Sequence, residues 1–321
     1  MTTVERVELA YNNVYFVSDG SSLVVIDTGP DYRGAREAIS DALRGRTPDI
    51  VVATHGHLDH AGLGKWWQER GCAVLLGRDD MPQTMGQSDR DIDLMVAYIE
   101  HIGAPEAIQA EAIAAMEARR RWAHEMRTSK AYIDARDGRW PTALRYEPFE
   151  PVRTIAEPTS LACGLTALPS PGHTPGNLVV IQADEGRLFS GDQLLPEITP
   201  TPAIQFHAGA RFASLPRFLE SLRTLRAELP GNAHCFPGHG EPFANVDEVI
   251  RANLEQAEQR SARLVEELRQ DGAITLYELA ERMYPRALRR RFWQIVATIQ
   301  GQLDVLEEAG QAAYADGRWS I

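Results

Sequence analysis

A layered α/β fold is predicted by three observations. Short apolar runs closed by Gly, Pro or Asp alternate with an amphipathic helical stretch over the first third of the chain. The same style of short strand resumes after residue 150. Between these halves, and again after residue 250, the apolar spacing becomes helical.

Val14 to Val17, Leu23 to Ile26 and Ile50 to Ala53 read as strands, with Tyr32 to Leu43 as a helix between the last two. Continuous runs such as Leu23-Val24-Val25-Ile26 suit strands covered on both faces, where neither side tolerates a polar row. From about residue 80 to 147 a helical insertion is expected, with Ile92, Met95, Val96 and Ile99 on one face and Ile108, Ala112, Met116, Ala123 and Met126 on another. Its methionines suit either plain packing or a lid lining an adaptable apolar cavity. Val152 to Ile155, Leu165 to Leu168, Leu178 to Ile181 and Leu188 to Ser190 are the next strands, and helix Phe212 to Leu229 with a strand near Ala233 to Phe236 closes this half.

After Pro242, Asn245 and Glu248 have the spacing of a capping box, as do Thr275 and Glu278. Apolar stripes at Ile250, Leu254, Ala257, Leu264 and Leu268, then at Phe292, Ile295, Ile299, Leu303 and Leu306, mark two longer helices. Asp316-Gly317 is a two-residue hairpin turn between Tyr314 and Trp319. The expected division is residues 1–250 and a small winged-helix-like unit, 251–321.

The chain has 321 residues, 44% hydrophobic and 24% charged, with net charge −12. That composition excludes a disulfide miniprotein and long disorder, and its charge works against bulk electrostatic binding of nucleic acid. Cys72, Cys163 and Cys235 are odd in number and far apart, as reduced core thiols would be. No run is long and apolar enough for a membrane span, and the first residues lack a basic-then-apolar leader, so a cytoplasmic protein without membrane contact is expected.

The chemistry is concentrated in Thr54-His55-Gly56-His57-Leu58-Asp59-His60, directly after a buried strand. Three imidazoles and a carboxylate within six residues are metal-ligand chemistry in a loop where scaffolds display functional groups. Gly56 is expected to let the backbone bend so that His55 and His57 face one point. Three later Gly-flanked turns add one ligand type each: Pro171-Gly172-His173-Thr174-Pro175-Gly176, Ser190-Gly191-Asp192 and Pro237-Gly238-His239-Gly240. His101, His124, His207 and His234 lack such neighbours, although His207 lies near the expected site edge. Asp27, in Asp27-Thr28-Gly29, reads equally as a turn former or as a carboxylate holding a ligand imidazole.

His55, His57, Asp59 and His60 match the HxHxDH signature, and over residues 1 to about 245 the sequence resembles the metallo-β-lactamase superfamily. The resemblance implies a four-layer αββα fold. It also implies two divalent metal ions, His55, His57 and His173 on one, Asp59, His60 and His239 on the other, and Asp192 between them. The complete set resembles the glyoxalase II-like dinuclear arrangement. Zinc is the default ion, with iron and manganese suited to the same ligands. Two such cations sharing a water lower its pKa towards about 7, making hydroxide available as the nucleophile, with Asp59 and Asp192 as the catalytic carboxylates.

The stretch Gly191-Asp192-Gln193-Leu194-Leu195-Pro196-Glu197-Ile198-Thr199-Pro200, with the tail, resembles the LACTB2-like branch, which includes thioesterases and nucleases. Hydrolysis of an acyl bond is the expected reaction, first of a thioester, then of a lactone or ester, on a small substrate free or linked to coenzyme A or a carrier. A phosphodiesterase or endoribonuclease and a non-catalytic metal-binding regulator are the alternatives, and a homodimer is compatible with either. Residues 251–321 hold ten arginines against eleven acidic residues, so the tail is not a basic nucleic-acid module. Arg286, Arg289, Arg290 and Arg291 form a local cluster suited to phosphate or simply to solvent.

Overall fold

The structure, a computed structural model, describes residues 2–87, 89–134, 142–196 and 203–321. Glu197 to Pro200 of the stretch compared above lie outside the described residues.

The first sheet contains β1 (Thr3–Glu8), β2 (Asn13–Ser18), β3 (Leu23–Ile26), β4 (Ile50–Val52), β5 (Ala73–Gly77) and β6 (Arg153–Ile155), in that order. Its first three strands are antiparallel and the rest parallel. Parallel pairing requires crossovers, and α1 (Ala35–Leu43) supplies the one between β3 and β4. After β4 come α2 (Leu58–Ala61) and α3 (Gly64–Glu69).

The second sheet has β7 (Thr159–Ser160), β8 (Thr166–Pro169), β9 (Leu178–Gln182) and β10 (Arg187–Gly191), with β13 (His234–Pro237) added parallel to β10. A separate hairpin, β11 (Gln205–His207) and β12 (Ala210–Phe212), precedes α7 (Ser214–Glu228).

Side-chain alternation builds the layers. Val14, Phe16 and Val25 pack with Ile39, Leu43 and Trp67 on the helix side of the first sheet. Their neighbours Tyr15, Val17, Val24 and Ile26 turn inward onto Leu165, Ala167, Val180 and Phe189 of the second. Val179, Ile181 and Leu188 face outward onto Phe218 and Leu222 of α7 and onto Ile250 of α8 (Val246–Asp271). This is the αββα sandwich expected. Each fully buried valine, leucine or phenylalanine contributes about 1.5–3 kcal/mol, so the double-sided strands dominate its stability.

The insertion comprises α4 (Met81–Thr84), α5 (Asp89–His101) and α6 (Glu106–Thr128). It shares a core with the chain's last elements, α9 (Leu276–Met283), α10 (Phe292–Glu308) and the hairpin β14 (Ala313–Ala315) to β15 (Arg318–Ser320). Ile99, Ile102 and Met116 pack in one cluster with Leu279, Ile299, Leu303 and Trp319. Helix α8 passes through residue 250 unbroken, with Ile250 and Ala257 against the second sheet and Leu264 and Leu268 in the insertion's cluster.

Thr275 and Glu278 form the reciprocal capping box expected of them. Asn245 does not: its amide donates instead to Glu248 Oε2 at 3.3 Å, and its side chain makes no cap bond. Asp316 and Gly317 both have positive φ, 50° and 78°, as a tight hairpin turn requires. All three cysteines are free and buried. No helix among the described residues is long and apolar enough to cross a membrane.

Candidate metal centre

Every predicted ligand lies at one edge of the sandwich, just beyond a strand. His55 and His57 follow β4, and His57 begins α2, which puts Asp59 and His60 on its first turn. His173 lies between β8 and β9, Asp192 directly after β10, and His239 after β13.

His55 Nε2 is 2.9 Å from His57 Nδ1, which is 3.1 Å from His173 Nε2. Asp192 reaches both ways: Oδ2 is 3.4 Å from His173 Nε2, while Oδ1 is 3.3 Å from His60 Nε2 and 3.2 Å from His239 Nε2. Asp59 Oδ2 is 3.4 Å from His239 Nε2. Two ligand clusters result, His55, His57, His173 and Asp192 in one, Asp59, His60 and His239 in the other, each with its donor atoms within 4.8 Å of one another. His55, Asp59, His60 and Asp192 are buried, His173 and His239 half-buried, and His57 exposed.

These residues fit metal ions. Neutral imidazole nitrogens facing one another at about 3 Å oppose lone pairs that a cation would share. Asp192 Oδ1 is buried without a hydrogen bond, although two imidazole nitrogens lie close to it. Glycine at 238 leaves the required room, because a Cβ there would fall 2.6 Å from His60 Cε1 and 2.8 Å from Asp192 Oδ1.

Burial pushes His55 down and His173 to about 3, and His57, though its side chain is partly exposed, is lowered by the desolvation of its ring among the other ligands, so these imidazoles are neutral and ready to bind a cation. Burial opposes charge on His60 and His239 too, but carboxylates outweigh it. Asp27, Asp192 and Asp59 hold His60 well above its ordinary value, and Asp192 and Asp59 raise His239 to about 9. Asp59 and Asp192 are correspondingly held low against burial, chiefly by His60.

A pH dependence follows. His239 takes up a proton on folding, so its contribution without metal is complete below pH 6.5 and is lost as the pH rises through about 9. His173 gives up its proton on folding, so its contribution is complete above pH 6.5 and is lost as the pH falls towards 3. Melting of metal-stripped protein is expected to peak near pH 6.5, with the alkaline decline abolished by metal, which replaces the proton. Metal-free melting temperatures that climb from pH 7 to 9 would contradict this.

Asp27 resolves in favour of both readings. It has φ 66°, and its Oδ1 accepts from Thr54 N at 2.7 Å and Thr54 Oγ1 at 2.8 Å. Its Oδ2 is 2.7 Å from His60 Nδ1. Having donated to Asp27, the Thr54 hydroxyl is left to accept from His55 Nδ1, 3.1 Å away, which turns His55 Nε2 unprotonated towards its cluster. One carboxylate thus orients an imidazole in each cluster.

Asp80, fully buried, escaped the sequence reading. Its carboxylate accepts from Gly56 N at 2.9 Å, Gly176 N at 2.7 Å and Thr174 Oγ1 at 2.6 Å, stapling the His55–His57 loop to the His173 loop. The signal available was an Asp one turn after strand β5, itself unpredicted. The role expected of Gly56 also changes. Its φ is not positive; a side chain would be crowded, because a Cβ would lie 3.0 Å from Gln83 Cβ and 3.2 Å from Asp80 O. His207 lies 3.8 Å from Asp79 and lines no cavity at the cluster; its neighbours Gln205 and Phe206 do.

From His57 a cavity of about 240 Å³ runs into the insertion, and Met95, Met116 and Met126 line it. Met81 and Met85 do not. Arg289 lines a different cavity, with Tyr277, Phe292 and Trp293.

The αββα sandwich presents five imidazoles and two carboxylates from one edge, a donor set suited to metal ions. Residues 8–91 match the model of the metallo-beta-lactamase superfamily, and the architecture is the fold of that superfamily. Over 318 residues, 95% of this chain and 90% of the relative, it is 25% identical to "Probable metallo-hydrolase YqjP" of Bacillus subtilis (strain 168). Over 133 residues, 38% of each, it is 27% identical to atrochrysone carboxyl ACP thioesterase of Aspergillus terreus (strain NIH 2624 / FGSC A1156). Among solved structures, a metallo-beta-lactamase family protein from Thermus thermophilus superposes with a TM-score of 0.69 at 22% identity, covering 99% of this chain and 98% of the other. A beta-lactamase domain protein from Burkholderia ambifaria superposes with a TM-score of 0.71 at 16% identity, covering 99% and 92%.

Proposed function

We propose that the protein is a dinuclear metal-dependent hydrolase of acyl bonds, acting on a thioester first and on lactones or esters next. The observation that carries this reading is the placement of Asp192, one oxygen towards each ligand cluster, in a site whose His57 lines the cavity that runs into the insertion. When bound, the metal ions would activate water and polarise the scissile carbonyl. His55, His57 and His173 would hold one, Asp59, His60 and His239 the other, and Asp192 would join them. Zinc is the favoured ion, with iron or manganese compatible.

The chain's own groups do the rest. Asp59, ionised at neutral pH, is the carboxylate placed to take a proton from attacking water. His57, exposed at the cavity mouth, marks where the carbonyl lies while the acyl group enters the cavity. Water adds to the carbonyl carbon, the carbon–sulfur bond breaks, and the thiolate leaves as the thiol. Ile92, Met95, Met116, Trp122 and Met126 give this cavity an apolar stretch for an acyl group, beside Arg119 and Arg127, and the fungal thioesterase relative is consistent with the acyl reading.

Metal-replete protein is expected to bind about two ions per chain and to release thiol from acetyl-, octanoyl- or palmitoyl-coenzyme A, read with a thiol-reactive dye. Full metal content with no thiol released from any of the three would overturn the acyl-bond reading.

A further inference from the structure

Phe206 lines the cavity at His57 together with Met95 and Met116, and it also lines a second cavity of about 310 Å³ between α5, the β11–β12 hairpin and α10. Among the described residues, Phe206 is the one that lines both.

Its position is firmly held. Phe206 pairs with Arg211 across a hairpin whose turn residues, Ala208 and Gly209, have φ of 51° and 85°. The adjoining Gln205 donates its amide to the carbonyl of His173 at 2.7 Å, tying the hairpin to a ligand loop. The edge-on ring of Tyr98 lies 6.4 Å away.

The second cavity's principal polar groups are already paired. Arg211 grips Asp304 through two bonds of 2.6 and 2.7 Å, and Tyr98 donates to Gln300 Oε1 at 2.6 Å. The rest of the lining combines Leu94, Ala97, Tyr314 and Trp319 with His101 and Glu307. Its larger, apolar share suits the end of a hydrocarbon chain.

We propose that Phe206 sets the length of the acyl chain: a medium chain runs from His57 past Met95 and Met116 and stops at this ring, and the space behind it is denied to longer chains. This rests on the acyl-bond reading above. It predicts a specificity that the ligand clusters alone do not, because nothing in them senses the chain's far end.

The test compares ratios of kcat/KM, which cancel losses common to all substrates. Wild-type, metal-replete, full-length protein is expected to prefer octanoyl- over palmitoyl-coenzyme A by about tenfold or more. Phe206→Ala is expected to shift that ratio about tenfold towards palmitoyl by joining the cavities. Met95→Trp fills the first cavity at a half-buried position and is expected to shift the octanoyl-to-acetyl ratio about tenfold towards acetyl. A flat chain-length series in the wild type, or ratios unmoved by both variants, would overturn the proposal.

Direct binding separates this outcome from failure of the acyl-bond reading. If no thioester is turned over, titration with octanoate against acetate decides: octanoate binding tighter than acetate and weakened about tenfold by Met95→Trp upholds the chain site, and equal binding of the two acids removes it.

Discussion

Replacing Asp192 with alanine is expected to lower turnover by about a thousandfold and to reduce metal content below two ions per chain, with the fold retained. Asp192 is buried, but its carboxylate oxygens face ligand nitrogens rather than supporting backbone: Oδ2 towards His173, Oδ1 towards His60 and His239. Removing it separates the two clusters and takes away the charge that offsets crowding of their imidazoles. The strand positions beneath, Leu188 and Phe189, are packed by other contacts. Steady-state kinetics with elemental analysis checks both effects, and unchanged turnover at full metal content would exclude a bridging role.

Asp27→Asn is expected to keep the backbone and lose the second metal. Asparagine tolerates the positive φ at this position, and its carbonyl oxygen can still accept from Thr54 N and Oγ1. The amide group must then face His60 Nδ1, donating where the carboxylate accepted. A neutral His60 is thereby forced to carry its proton on Nε2, the atom turned towards His239 and Asp192. Metal affinity at that cluster is expected to fall about 10- to 100-fold, while the cluster of His55 and His57 is less affected. Metal titrations that fill both sites as tightly as in the wild type would show that Asp27 serves the turn alone.

Much of the fold was legible because burial leaves a local imprint. Leu23 to Ile26 and Leu178 to Ile181 are apolar on both faces, and both lie between layers. The candidate ligands were legible for a different reason: imidazoles flanked by glycine after a strand have few structural uses, so His173 and His239 could be grouped with His55 across more than a hundred residues. Strand β1, by contrast, is an edge strand in which the adjacent charged residues Glu5 and Arg6 separate Val4 from Val7, and it carried no apolar run. Asp80 was hidden because a carboxylate that binds backbone amides of two distant loops has the same sequence appearance as its exposed neighbour Asp79. The partition at Phe206 depends on three segments meeting in space, and no periodicity encodes that.

Helix α8, with one half against the second sheet and the other among the insertion helices, carries a consequence for anyone trimming this chain. Cutting it at residue 250 strips the covering from Ile99, Ile102 and Met116, so the wall of the cavity at His57 would collapse together with the amputated tail. The half that carries the ligand clusters is therefore not self-sufficient, and what resembles an appendage is the buttress that keeps the cavity open.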